Sequence, residues 1–172
     1  IEDFMIRTNE VVAEEMYYQE IPFIYRVHEQ PSQEKLEELN SFLHNLGYQI
    51  KGLRDVHPKS LQNVLEKVKG EPEERVVNTV LLRTMQQAHY SPQNIGHFGL
   101  ASRFYSHFTS PIRRYPDLMI HRIIKEVLKK GVLKAGRKDD LANKLTKIAD
   151  RSSVQERKAM DAERESVDLK KV

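Results

Sequence analysis

Two arginines, Arg113 and Arg114, lie between Pro111 and Pro116 in the stretch TSPIRRYPDL, residues 109–118. A guanidinium is a planar, permanently charged fork of donors that matches phosphate oxygens. Ser110 can cap a helix and Pro111 can fill its first position. The pattern therefore predicts a helix from about Ser110 to Lys130, ended by Gly131. A helix N-terminus presents free N–H groups and attracts anions. Arg113 then falls in the first turn, where a cation opposes the helix dipole. A phosphate arriving there gives that cation a purpose. The alternative is a surface network in which both arginines pair with Asp117 and other acids.

A second candidate is the loop NIGHFGLA, residues 94–101. Gly96 and Gly99 permit close backbone approach, and His97 and Phe98 add an imidazole and a ring. Rings interleaved with cations hold single-stranded nucleic acid. An ordinary packed loop is the competing reading. Metal-assisted hydrolysis, by contrast, needs clustered carboxylates. The acidic pairs Glu2–Asp3, Glu14–Glu15, Glu73–Glu74 and Asp139–Asp140 sit on patterns that read as solvated faces or turns. The seven histidines form no H-x-x-x-H pair. The residues alone indicate phosphate binding without a metal centre.

The elements that must position these groups read as mostly helical. A first helix spans Ile1 to about Gln19, with Ile1, Phe4, Met5, Val12 and Met16 on one face, before the break at Pro22. FIYRVHEQP reads as a strand or extended connector. Ser32 caps a helix whose stripe is Leu36, Leu39, Phe42, Leu43 and Leu46, stopping at Gly47. YQIKGL looks extended. Helices from about Ser60 to Lys69 and Pro72 to Ala88 follow, then a structured loop to Ser110. A last helix runs from Asp140 to the end, with Leu141, Leu145, Ile148, Ala149 and Ser152 on one side. The fold class is mainly α with a few short β-strands, an α+β chain.

Composition sets outer limits. Of 172 residues, 39% are hydrophobic and 31% charged, and the net charge is +3 with a pI near 9.0. That balance permits a polyanionic partner without requiring one. There is no cysteine, which excludes disulfides and thiolate metal sites and favours a reducing compartment. No apolar run reaches the length of a membrane span. The start lacks signal-peptide character. Open helical patterns at both ends lead to the expectation of a piece of a longer protein.

The blocks GHFGLASRFYSHFTSPIRRYPDLMIHR, PFIYRVHEQP and NTVLLRTMQQAHYSPQNIGHFG resemble the RNB catalytic domain of the ribonuclease II superfamily, and the likeness runs through residues 1–172. The resemblance implies the C-terminal half of that single catalytic domain. The metal-binding half and the cold-shock and S1 domains would lie elsewhere. The family are processive, Mg²⁺-dependent 3′→5′ exoribonucleases that thread single-stranded RNA into a channel and release nucleoside 5′-monophosphates. By that likeness Arg113 is the catalytic arginine at the scissile phosphate. Glu2, in the opening I-E-D, holds a ribose hydroxyl, and Glu163, in the A-E-R of DAERES, lies beside the terminal base. Arg114, His97 and Tyr115 join them as RNA-binding candidates. The implied Mg²⁺ ligands are not in this chain, so the isolated chain is expected to be inactive. Single-stranded RNA and the missing half of the domain are the expected partners, in the cytoplasm, with no membrane. A non-catalytic RNA-binding or scaffold module is the alternative. A DNA-binding domain is not expected, because DLMIHRIIKEVLKK reads as a core helix rather than a base-reading one.

Overall fold

The computed structural model describes residues 1–53 and 55–171. Val172, where the last predicted helix and the 1–172 domain assignment end, lies outside the described residues. In chain order the elements are α1 (Glu2–Tyr18), β1 (Tyr25–Val27), α2 (Gln33–Asn45), α3 (Pro58–Val68), α4 (Glu74–Thr84), β2 (His89–Ser91), α5 (Tyr115–Lys130) and α6 (Ala135–Leu169), with a single 3₁₀ turn at Phe98–Leu100. The chain is mainly α with one small sheet, an α+β fold.

Two compact units emerge. The first comprises Ile1–Val27, His89–Asn94 and Phe104–Val172. Here β1 and β2 pair antiparallel, with Arg26 opposite Tyr90. The core joins Ala13 and Met16 of α1, Phe23 and Ile24 before the sheet, Ile120 and Ile123 of α5, and Leu141 and Leu145 of α6. The α1 stripe holds at Val12 and Met16, which pack in or against the core, and differs from expectation at its N-terminal end. Asn9, Ala13 and Met16 are buried, whereas Ile1, Phe4 and Met5 are exposed. Asn9 is tolerated inside because its amide is used fully: Nδ2 donates to the Tyr105 hydroxyl at 3.2 Å, and Oδ1 accepts from the Phe108 N–H at 2.9 Å.

The second unit comprises His28–Ala88 and Ile95–Arg103. Leu36, Leu39 and Leu43 of α2, Leu61, Val64 and Val68 of α3, and Val77 and Leu81 of α4 form its core. Ser32 caps α2 as expected, accepting from the Lys35 N–H. YQIKGL forms no strand; Ile50 donates its N–H to Asn40 Oδ1 at 2.9 Å instead of to a ladder.

The start of α5 corrects the predicted helix at Ser110. Residues 111–113 form a turn, closed by the N–H groups of Arg113 and Arg114 on the Ser110 carbonyl at 3.3 and 3.1 Å. Arg114 is the extended N-cap residue, with φ −123° and ψ 119°. The reason is Pro116. A helix already running from Pro111 would need an N–H at Pro116 for the Ile112 carbonyl, and the ring would clash there. With the helix starting at Tyr115, Pro116 falls in the first turn, where no N–H is needed. Among the described residues no helix is long and apolar enough to cross a membrane.

Candidate functional site

The turn before α5 treats its two arginines differently. Asp117 is fully buried, and its Oδ2 accepts from the Ser110 N–H at 2.8 Å, from Arg114 Nε at 3.1 Å and from Arg114 Nη2 at 2.8 Å. One carboxylate oxygen thus fixes both the backbone at Ser110 and the Arg114 guanidinium. Arg113 projects from the turn, exposed, with no ion pair or side-chain hydrogen bond among the described residues. The surface-network reading therefore holds for Arg114 and not for Arg113. The position of Arg113 also changes: it precedes the N-cap, so it does not sit inside the helix against its dipole.

Arg113, Arg114 and Tyr115 border a cleft of about 800 Å³ whose opposite wall is one face of α6, including Lys147, Arg151, Glu156 and Glu163. Side chains four apart share a helix face, so Arg151, Gln155, Ala159 and Glu163 form one row along that wall. The opposing stripe of α6, Leu141, Leu145, Ala149 and Ser153, anchors the helix in the core. Ser153 also accepts the Tyr90 N–H at 2.9 Å and donates to the Ala149 carbonyl at 2.9 Å, which ties β2 to α6.

Tyr90 lines the same cleft. Its hydroxyl shares a 2.9 Å hydrogen bond with His107 Nδ1, and the Arg26 guanidinium lies 4.7 Å from its ring centroid. Burial pushes the phenol up to about 12, with the Arg26 charge the next contribution, acting downward. The phenol is therefore protonated at neutral pH. Arg26 Nη1 in turn meets Glu156 Oε2 at 2.6 Å, so that acid is already engaged. Tyr90, Lys147, Arg151 and Glu156 went unnoticed in the sequence. A three-residue strand and an unbroken polar helix face give no local signal; only the packing of α6 brings them to Arg113.

Glu2 is exposed at the first turn of α1 and is not among the residues bordering the cleft. His97 belongs to the second unit. There its ring accepts the Leu100 N–H at 3.2 Å, capping the 3₁₀ turn, and stacks on His28 with centroids 5.1 Å apart. The expected close approach at Gly99 is internal: its N–H donates to His28 Nδ1 at 2.8 Å, and a Cβ there would stand 3.3 Å from that atom. Among the described residues no group of three His, Asp or Glu side chains gathers to hold a metal ion.

Residues 1–130 match the RNB domain. Ribonuclease R 1 of Lactococcus lactis is 48% identical over 172 residues, 99% of this chain and 21% of that protein. Ribonuclease R of Thermotoga maritima is 47% identical over 100% of this chain and 24% of its own length. The chain thus spans about a fifth to a quarter of these relatives. Mycoplasma genitalium RNase R, solved in complex with ribose methylated single-stranded RNA, superposes with a TM-score of 0.89 at 34% identity, covering 98% of this chain and 27% of that one. The arginine-bearing turn, the α5 that follows it and the sheet beside it all fall within the matched residues, and the chain belongs to the RNB domain family.

Proposed function

We propose that this chain is part of a processive 3′→5′ exoribonuclease hydrolysing single-stranded RNA to nucleoside 5′-monophosphates, and that it supplies the catalytic arginine and one wall of the RNA channel. One observation carries the reading: of two adjacent arginines, Arg114 is held by Asp117, while Arg113 has no ion pair among the described residues and stands at a cleft that Glu163 also borders. The ribonuclease R names of its relatives support the reaction class.

In this reading Arg113 donates to the non-bridging oxygens of the scissile phosphate as charge develops there. A donor fixed before the reaction contributes about 3–4 kcal/mol of transition-state stabilisation. Asp117 holds the turn, so the reaction itself does not have to order it. Arg114 and Tyr115 flank the phosphate, Glu163 stands beside the terminal base, and Glu2 accepts from a ribose hydroxyl.

The family resemblance implies Mg²⁺, but the donors present here do not fit a site for it. Asp117 and Glu156 are each engaged by an arginine, which leaves Glu163, among the described residues, as the cleft's carboxylate without an ion pair. A hard cation held by protein wants several oxygens. No step is assigned to a metal on these residues, and its ligands belong, on this proposal, to the other half of the catalytic domain. That half and the RNA are the expected partners, in the cytoplasm.

The test uses the full-length protein, a 3′-tailed RNA and single-turnover cleavage beside a binding titration in Ca²⁺. Arg113→Lys keeps the charge and loses the fork. Turnover should fall on the order of 100-fold with little change in Kd. Weakened binding with an intact chemical step would make Arg113 a docking residue. Wild-type protein that binds RNA and releases no mononucleotide would instead support a non-catalytic RNA-binding module.

A further inference from the structure

We infer that Lys147 and Arg151 form a phosphate-binding row on α6 that takes the sugar–phosphate backbone of the single strand in the cleft. The inference rests on the exoribonuclease reading and adds to it two residues that neither the resemblance nor the relatives assign.

Both side chains border the cleft, and both are exposed. They are four residues apart, roughly 6 Å along the axis, on neighbouring turns of one face. Like charges at that spacing repel and weaken a helix. Some cations near the cleft and the α5–α6 junction have acid partners: Arg137 and Lys130 share Glu126, Arg26 holds Glu156, and Arg114 holds Asp117. Neither Lys147 nor Arg151 has an ion pair or side-chain hydrogen bond among the described residues. Because Glu156 and Arg114 are neutralised internally, the cleft presents, among the described residues, three cations without an ion pair, Arg113, Lys147 and Arg151, against one such acid, Glu163.

The layout separates a strand from a single anion. Lys147 and Glu163 are sixteen residues apart in one helix, roughly 24 Å along its axis. A lone phosphate satisfies one end of such a wall; a polyanion satisfies its length. Arg151 offers a fork and Lys147 a mobile point charge, the usual division between a fixed and an adaptable phosphate contact. Phosphate contacts of this kind fix the path of the strand without reading its sequence.

The experiment compares the full-length wild type with Lys147→Gln/Arg151→Gln. The control is Lys144→Gln/Lys158→Gln, a pair of exposed α6 cations that do not border the cleft. Binding of a 3′-tailed single-stranded RNA is titrated in Ca²⁺ from 50 to 200 mM salt. Each lost contact should flatten the salt dependence by about 0.7, so the double variant loses about 1.4 and the control none. Affinity at low salt should drop on the order of tenfold, and Lys147→Arg/Arg151→Lys should restore the slope. An unchanged slope in the double variant, with wild type binding normally, overturns this row and leaves the function standing. An unchanged slope with weakened inhibition by a nucleoside 5′-monophosphate assigns the row to released product and overturns the strand. Wild-type protein that binds no RNA overturns both readings together.

Discussion

Asp117 lies at 0% exposure with three donors on one carboxylate oxygen and none on the other. An acid buried this deeply is stable only because Arg114 and the Ser110 amide meet it. Removing it leaves Arg114 partly buried without its counter-charge. Breaking a buried pair from one side costs about 3–5 kcal/mol. The Arg114 side chain is 18% exposed, so the lower end applies. Asp117→Ala should lose about 3 kcal/mol in urea unfolding, and turnover should fall with it as the turn loosens. Asp117→Asn keeps the shape and one acceptor and should fall between. A melt indistinguishable from wild type in both variants would show that the carboxylate does not hold the turn. Glu2 carries a different expectation. In the full-length protein, Glu2→Ala should erode discrimination of RNA from DNA, since only RNA offers a 2′-hydroxyl as donor. Equal RNA and DNA cleavage ratios in variant and wild type would remove that role.

The C-terminal part of α5 meets the start of α6 through one acid. Glu126 accepts from Arg137 Nη2 at 2.9 Å and from Lys130 Nζ at 3.0 Å. Those hydrogen bonds, Arg137 first, hold its carboxyl down at about 2, against an ordinary value of 4.5. The folded value is depressed, so the contribution is complete above pH 4.5 and is lost as the pH falls toward 2. The stability difference between wild type and Glu126→Gln should therefore be constant from pH 7 to about 5 and shrink below it. A difference that grows in acid would reverse the assignment. The α5 helix was readable from its apolar spacing and its Gly131 stop, because periodicity reports the core directly. Its start was misplaced, since Ser110 and Pro111 imitate a cap and a first turn while Pro116 overrules them four residues beyond Ile112. Strand β2 was missed for another reason: three residues of HYS owe their pairing to β1, more than sixty positions earlier in the chain. Arg113 was legible as a phosphate-facing cation from its own turn and as catalytic only through likeness to a family, whereas Glu163 was legible through that likeness alone. The geometry uniting them depends on how α6 packs, and no spacing in the sequence encodes that. The stripe on α1 held at Val12 and Met16, which pack in or against the core, and failed at Ile1, Phe4 and Met5, because burial there follows Asn9 and Ala13, a polar and a small residue that hydrophobicity undervalues.

Each unit has its own apolar core, yet large apolar side chains of the first unit stand in solvent. Ile112 at the tip of the arginine turn is 98% exposed, and Ile1, Phe4, Leu128, Val132 and Leu169 are also open. Scattered exposed residues are ordinary, whereas contiguous ones mark contact surfaces. The chain covers only 21–24% of the relatives compared. On the proposed reading, the other half of the catalytic domain covers part of this apolar surface and brings the carboxylates that the cleft lacks. Two results should then appear together when residues 1–172 are produced alone. The protein should bind a hydrophobic dye or associate at moderate concentration, because apolar area left in water favours self-contact. It should also release no mononucleotides from a 3′-tailed RNA in Mg²⁺, because Glu163, the one carboxylate without an ion pair among the described residues of the cleft, cannot assemble a metal site that needs several oxygens. Adding the separately produced other half should suppress dye binding and restore cleavage in parallel, and Arg113→Lys in the smaller piece should block only the cleavage. Robust Mg²⁺-dependent cleavage by residues 1–172 alone would sink the division of labour between the two halves. A monodisperse monomer with no dye binding would show that the exposed apolar side chains are ordinary surface.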